Sequence, residues 1–346
     1  MFRLLSRLAL PFISVALVAQ TGPPSLSPSS LPADPYAFLG LAAKVNGLGI
    51  TGLPPWHVKA TFQILGKDGK PQETGTFEEF HATDSRVKVI YASPSFNRTT
   101  WLNAKGSFAT SNPKWPSDAE WMVRRSLFDV TPEPRSNEPY QRPTWKDGAP
   151  ETKTRCIEFV AIRAPREIDP RWFPSYCFNA GTPIIRLGAE GLQYYQAIFN
   201  AIVFFHGTYV AREVELLHQG RLYFRLRVDA LEPLAEPTEE LFSAPSAALH
   251  VPRREVIDTD LRFIPEKHTA SIPRPFDRMT GRPQLLGQEV IVQVLVNKLG
   301  LVVDARGVVG DALKKFDGII ASAKWRFEPY LVDGEPTEYY TELEYF

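Results

Sequence analysis

Long apolar runs are missing from this chain. The longest, residues 8–19, is roughly 12 residues, well short of the ~20 that cross a bilayer as a helix. Nothing after it is long and apolar enough to span. Net charge is missing as well, because 39 basic residues balance 39 acidic ones. That balance argues against nucleic acid as a partner and against a basic tract for anionic lipid. Cysteine is scarce, at two residues. No G-x-S-x-G elbow, S-x-x-K or P-loop occurs. The six histidines, His57, His81, His206, His218, His250 and His268, never fall at a metal-ligand spacing. The sequence therefore predicts no catalytic residue, no cofactor and no metal, and the chain is not expected to be an enzyme.

What is there begins with a targeting pattern. Arg3 and Arg7 precede the apolar run, and Thr21-Gly22-Pro23-Pro24-Ser25 follows it. Basic, apolar and small-residue segments in that order predict a signal peptide over residues 1–20, followed by a Ser/Pro-rich leader over 21–33. An uncleaved inner-membrane anchor is the alternative. In an exported protein, Cys156 and Cys177 favour a disulfide over two buried free thiols.

Proline, at 31 residues, clusters in the leader, between 132 and 150, and from 233 to 283. These stretches read as loops and linkers. A helix is expected over 35–48, with Asp34 as N-cap, Pro35 as first residue and Gly47 or Gly49 as its end. Strand-like runs follow at 56–65, 74–81, 86–93, 98–102 and 106–110, with a turn at Lys67-Asp68-Gly69-Lys70. A second helix is expected at 121–128. Further strands are expected at 155–162, 175–178, 184–187, 193–205, 206–215 and 219–231. Many short strands with turn signals between them predict a large antiparallel sheet.

Residues 34–245 resemble the periplasmic lipoprotein-carrier half-barrels of the LolA and LolB type. The resemblance rests on the helix at 35–48, then Val58-Lys59-Ala60-Thr61-Phe62 with Asp68-Gly69, and Gly75-Thr76-Phe77-Glu78-Glu79-Phe80. Tyr176-Cys177-Phe178-Asn179 and the strand at 222–231 also fit. It implies a curved sheet over helices whose concave face is either an apolar pocket for a lipid or acyl chain or a filled core. If a pocket, Tyr194, Tyr195, Phe199, Phe204 and Phe205 are the candidates to line it.

The C-terminal stretch carries a second pattern. Residues 290–297 alternate, with Val290, Val292, Val294 and Val296 on one side, which marks a strand with one well-buried face. Asp311 can cap a helix in which Leu313, Phe316, Ile320 and Ala323 form the stripe expected to meet the sheet. Gly300, Asp304-Ala305, Trp325-Arg326-Phe327 with Pro329, Asp333-Gly334-Glu335-Pro336 and the closing aromatic strand resemble the C-terminal domain of the TonB family. The family's opening Tyr-Pro has no match at 273–286. The resemblance, over residues 285–346, implies recognition of an outer-membrane receptor or another envelope protein by strand addition. The residues it points to are Trp325, Arg326 and Phe327, with Tyr339, Tyr340, Thr341, Leu343 and Tyr345 on the final strand.

The expected architecture is α+β. An N-terminal curved antiparallel sheet with helices (34–245) is joined by a Pro-containing linker (246–284) to a small C-terminal α+β domain. The expected function is that of a non-enzymatic periplasmic binding protein. A TonB-type energy transducer held by an uncleaved N-terminal segment is the alternative. Monomer and dimer stay open. Two motifs fall on context. Gly47-Leu48-Gly49-Ile50-Thr51-Gly52 spells G-x-G-x-x-G but follows a helix and precedes Pro54-Pro55, so it reads as a loop. Glu78-Glu79 and Glu213 with Glu215 are acidic pairs, the second on one side of a strand, and exposed charges on the outer face of a sheet explain them as well as a catalytic pairing does.

Overall fold

A computed structural model describes residues 31–131, 141–148, 152–161, 174–189, 195–257 and 290–345. The expected signal peptide and most of the leader, much of the Pro-rich stretch after 131, Tyr194 and most of the linker lie outside the described residues.

The first helix, α1 (Pro35–Ala43), starts as expected: the Asp34 carboxylate accepts from the Ala37 N–H at 2.8 Å. It stops earlier than expected, before a loop in which Gly47 has φ +86°. Then come β1 (Trp56–Leu65), β2 (Pro71–Thr83), β3 (Arg86–Ala92), β4 (Asn97–Asn103) and β5 (Gly106–Ala109). Helix α2 (Asp118–Leu127) opens with a capping box, Ser117 and Glu120 each satisfying the other's backbone N–H. The chain continues through β6 (Gln141–Asp147), β7 (Thr154–Ala161), β8 (Ser175–Asn179), β9 (Ile185–Ala189), β10 (Tyr195–Phe205), β11 (Thr208–His218), β12 (Arg221–Pro233) and β13 (Leu249–Val251).

These form one antiparallel sheet of 13 strands, in the order β13-β5-β4-β3-β2-β1-β12-β11-β10-β9-β8-β7-β6. It is the curved sheet that the sequence predicts. Cys156 on β7 lies opposite Cys177 on β8, and the two are disulfide-bonded. Two strands fall where loops are expected: β6 in the Pro-rich stretch and β13 in the linker.

Over most of the sheet the inner face is filled. Trp56, Val58, Ala60 and Phe62 of β1 alternate inward and meet Phe224, Leu226 and Val228 of β12. Phe38 of α1 packs edge-on to Trp145 and Phe178 at about 5 Å. Beneath α2 lies a hole of about 10 Å³, lined in part by Asn46, Phe199 and Tyr209. Of the aromatics expected to line a pocket, Phe199 and Phe205 are core. Tyr195 stacks on His218, and Phe204 packs on Tyr209.

A second sheet holds β14 (Arg254–Val256), β15 (Val290–Val296), β16 (Val302–Val309), β17 (Tyr330–Val332) and β18 (Glu335–Tyr345), with α3 (Ala312–Ser322) on one face. Its order is β14-β18-β15-β16, with β17 paired to β18. The elements from β15 onward follow the expected order of strand, strand, helix, short strand and final strand. Three findings differ from expectation. All of β15 is buried, not one face of it. Its even positions pack under α3, while Leu295 clusters with Trp121 of α2 and with Tyr340. Helix α3 is also turned over: Leu313, Phe316 and Ile320 are 77%, 55% and 47% exposed, and it buries Gly318, Ala321 and Ser322 instead. Finally, β18 does not end the sheet: it pairs with β15 over Tyr339–Tyr345, with β14 over Glu338–Tyr340 and with β17 over Glu335–Thr337.

Candidate functional site

The open part of the large sheet is the inner face of β2–β5. Strand period sends alternate residues inward, and the register lines them up in rows. One row runs His81, Val87, Leu102, Ser107; the next runs Glu79, Val89, Thr100. Among the described residues no helix covers these rows. A cleft of about 450 Å³ stands over them instead. One wall is the 48–51 loop with Glu120, Arg124 and Phe128 at the α2 end. The other is the second sheet, through Arg253–Val256 and the β17 hairpin at Tyr330–Gly334. The volume falls in the range of small-molecule sites.

The floor is mixed. Val87, Val89 and Leu102 give it an apolar strip, and Tyr91 lies beside them. Burial first, then Glu120 and Glu79, hold the Tyr91 phenol well above its ordinary pKa, so it remains a neutral hydroxyl. The walls carry charges of both signs, and most are paired. Arg98 donates to Glu120 at 2.9 Å, and Glu120 also accepts from the Ser117 N–H at 2.7 Å. His81 stands between Glu79 and Asp84, 3.4 Å from each, with its ring stacked on Trp56. Arg253 reaches Glu255 at 3.1 Å, and Arg254 reaches Glu338 and the Tyr340 hydroxyl, each at 3.0 Å. Such a site can hold a molecule with an apolar body and a polar end. Among the described residues, no group of three or more His, Cys, Asp or Glu is placed to hold a metal ion.

The residues that the sequence picked out for partner binding are elsewhere. Phe327, Tyr339, Tyr340, Thr341 and Leu343 are buried. Trp325 and Arg326 are half-buried, and the side chain of Tyr345 lies outside the described residues. Trp325 stacks on Phe327, whose ring meets Tyr339 edge-on. These aromatics are held inside because β18 runs through the middle of its sheet. Tyr340 looks toward the large sheet, donating its hydroxyl to the Lys114 carbonyl at 2.7 Å. Sequence reading missed the cleft, although it passed over two of its parts. Glu79 was half of an acidic pair explained by exposure, yet it is buried. The failed G-x-G-x-x-G supplies the 48–51 wall.

No protein-family model matches the chain. No curated protein matches it either. Among solved structures it is similar to a LolA superfamily protein from Nitrosomonas europaea, at 7% identity over 62% of this chain and 99% of that one, with a TM-score of 0.39. It is similar to a putative outer membrane lipoprotein-sorting protein domain from Vibrio parahaemolyticus, at 8% identity over 55% and 90%, with a TM-score of 0.34. A chain of the Pseudomonas aeruginosa MucA/MucB complex matches at 13% identity over 79% and 83%, with a TM-score of 0.28. Likeness of this degree leaves the functional reading to the cleft itself.

Proposed function

We propose that this chain is a non-enzymatic binding protein of the bacterial periplasm that takes a lipid or another acyl-bearing ligand into the cleft over β2–β5. The observation that carries the reading is the cleft of about 450 Å³, with Val87, Val89 and Leu102 on its floor and charged groups on its walls. An apolar strip removes the chain from water, at about 25 cal/mol per Å². Polar groups at the walls orient the head. Elsewhere the concave face is packed with its own side chains, so the ligand site is one end of the sheet rather than the whole of it.

The test is native mass spectrometry of the protein taken from the periplasm without detergent, beside the variant Val89→Trp. The native chain is expected to carry a lipid-sized adduct. The tryptophan fills the floor, and the adduct is expected to vanish while the circular dichroism of the folded sheet is retained. A variant that keeps the adduct sinks the assignment of the cleft.

A second role belongs to the C-terminal sheet. Among the described residues β16 ends that sheet and leaves an edge for strand addition. The most exposed large apolar side chains, Leu249 aside, all fall between Leu299 and Leu331. We infer that an extended segment of an outer-membrane receptor or another envelope protein pairs with β16, which moves the TonB-like role away from the final strand. The energy-transducer alternative needs an anchor in residues 1–20, outside the described part. Among the described residues no helix is long and apolar enough to cross a membrane.

A further inference from the structure

Arg124 is the unusual group in the cleft. It sits in the last turn of α2 and lies over the Phe128 ring, 4.2 Å from its centre. Its nearest carboxylate, Asp129, is 3.9 Å away, beyond hydrogen-bond reach. Its Nε is buried and has no acceptor; the same is true of Arg98 Nε, but Arg98 holds a carboxylate at a terminal nitrogen and Arg124 does not. The other arginines of the lining, Arg98, Arg253 and Arg254, each donate to a carboxylate. On the acidic side, Glu79 and Asp84 face His81, Glu120 takes Arg98 and the α2 cap, Glu255 takes Arg253, and Asp333 stands at the β17 turn.

Arg124 is thus the arginine of the lining with no carboxylate at hydrogen-bond distance. Its side chain is 22% exposed, so part of the guanidinium stays open while the buried Nε lacks an acceptor, and a planar anion at the fork supplies one. Burial alone would weaken its charge. The Asp129, Glu255 and Glu79 carboxylates more than offset this and keep the group protonated.

We propose that Arg124 anchors an anionic group, a carboxylate or a phosphate monoester, at the end of a ligand whose chain lies along Val87, Val89 and Leu102. This rests on the cleft being the ligand site. The chemistry follows from the fork: two parallel N–H donors match two oxygens of either anion. A cationic head of the same chain length meets the guanidinium as a like charge.

The experiment is calorimetric titration of the full chain with dodecanoate, dodecyl phosphate and dodecyltrimethylammonium. The native protein is expected to bind at least one of the anions at least ~10-fold more tightly than the cation, and the tighter of the two identifies the head group. Arg124→Gln is expected to lose about tenfold or more in anion affinity, the scale of a charge-assisted contact, with the cation unchanged or improved. Arg124→Lys is expected to recover part of the loss. Asp129→Asn, which frees Arg124 from its nearest carboxylate, is expected to raise anion affinity. It serves as the independent arm if the glutamine variant does not fold. A folded Arg124→Gln protein with the full anion preference overturns the anchor and leaves the cleft standing. Binding of all three probes unaltered by Val89→Trp overturns the cleft as well, as does a native protein that binds none of them.

Discussion

Glu78 and Glu79 are neighbours with opposite fates, because a strand sends adjacent side chains to opposite faces. Glu78 stays on the outer face and meets His57 at 2.8 Å, while Glu79 turns into the cleft. The pair is visible in the sequence. Which member faces the cleft depends on the register of β2 against β1 and β3, and period alone does not fix that. Gly300 was easier to read as a special residue. It has φ +75°, and a Cβ placed there would lie 1.9 Å from the Phe327 carbonyl oxygen. The Phe327 N–H also donates to the Gly300 carbonyl at 2.9 Å, tying the β15–β16 turn to the segment after α3. Gly300→Ala therefore imposes both a left-handed backbone and a clash with main chain. It is expected to destabilise the C-terminal part by more than ~1 kcal/mol. Urea unfolding followed by tryptophan fluorescence would show it, and an unshifted midpoint would contradict this reading of the turn.

At the scale of elements, α3 shows where pattern reading failed. Its apolar residues do share one stripe, as the spacing says, but the stripe faces away from the sheet. Small residues let the opposite face come close: Gly318, Ala321 and Ser322 are buried, and a Cβ on Gly307 of β16 would meet the Lys315 Cβ at 2.5 Å. A pattern identifies an amphipathic helix without saying which face meets the sheet, and here close approach outweighs apolar area. Strand β16 carries the other element-scale expectation. Hydrogen exchange at Val302–Val309, measured with and without solubilised outer-membrane receptors, is expected to slow on addition if a partner strand pairs there. Slowing confined to Glu335–Tyr345 would return the contact to β18 and overturn the edge assignment. Two bulges in the β15–β16 pairing, near Val303 and Val308, limit how long an added strand can be.

For the whole molecule, the relation between the two sheets makes the site. Strand β14 leaves the large sheet's last strand, β13, after Pro252 and Arg253 and joins β18 in parallel. Around it, Trp115 packs on Tyr340 and under the Arg306 guanidinium, with ring-centre distances of 5.5 and 5.1 Å. Arg306 donates to the Pro116 carbonyl at 3.1 Å, Arg125 meets Glu342 at 3.3 Å, and Lys114 meets Asp304 at 2.7 Å. The apolar centre of this contact is Trp121 with Leu295 and Tyr340, against which the half-buried Trp115 ring packs; the exposed Lys114–Asp304 pair adds little. Scanning calorimetry is expected to give one transition for the native chain and two for Trp115→Ala, the C-terminal part melting first. An unchanged single transition would show that the docking does not depend on this ring.

The sequence by itself determined the local structure. Alternating apolar residues, turn glycines and capping carboxylates gave most strands of the large sheet, the Asp34 and Asp311 helix starts, and the order of elements after Val290, whereas the second helix begins at Asp118 behind a Ser117 cap, three residues before its expected start. These depend on neighbours a few residues apart, so they can be read along the chain. The tertiary structure decided the rest. It chose which half of the inner face is filled, turned α3 over, placed β18 inside its sheet, and set the second sheet over β2–β5. Each of those depends on groups far apart in sequence meeting in space, as Glu79 and Arg124 meet across one cleft, and no periodicity records such a meeting.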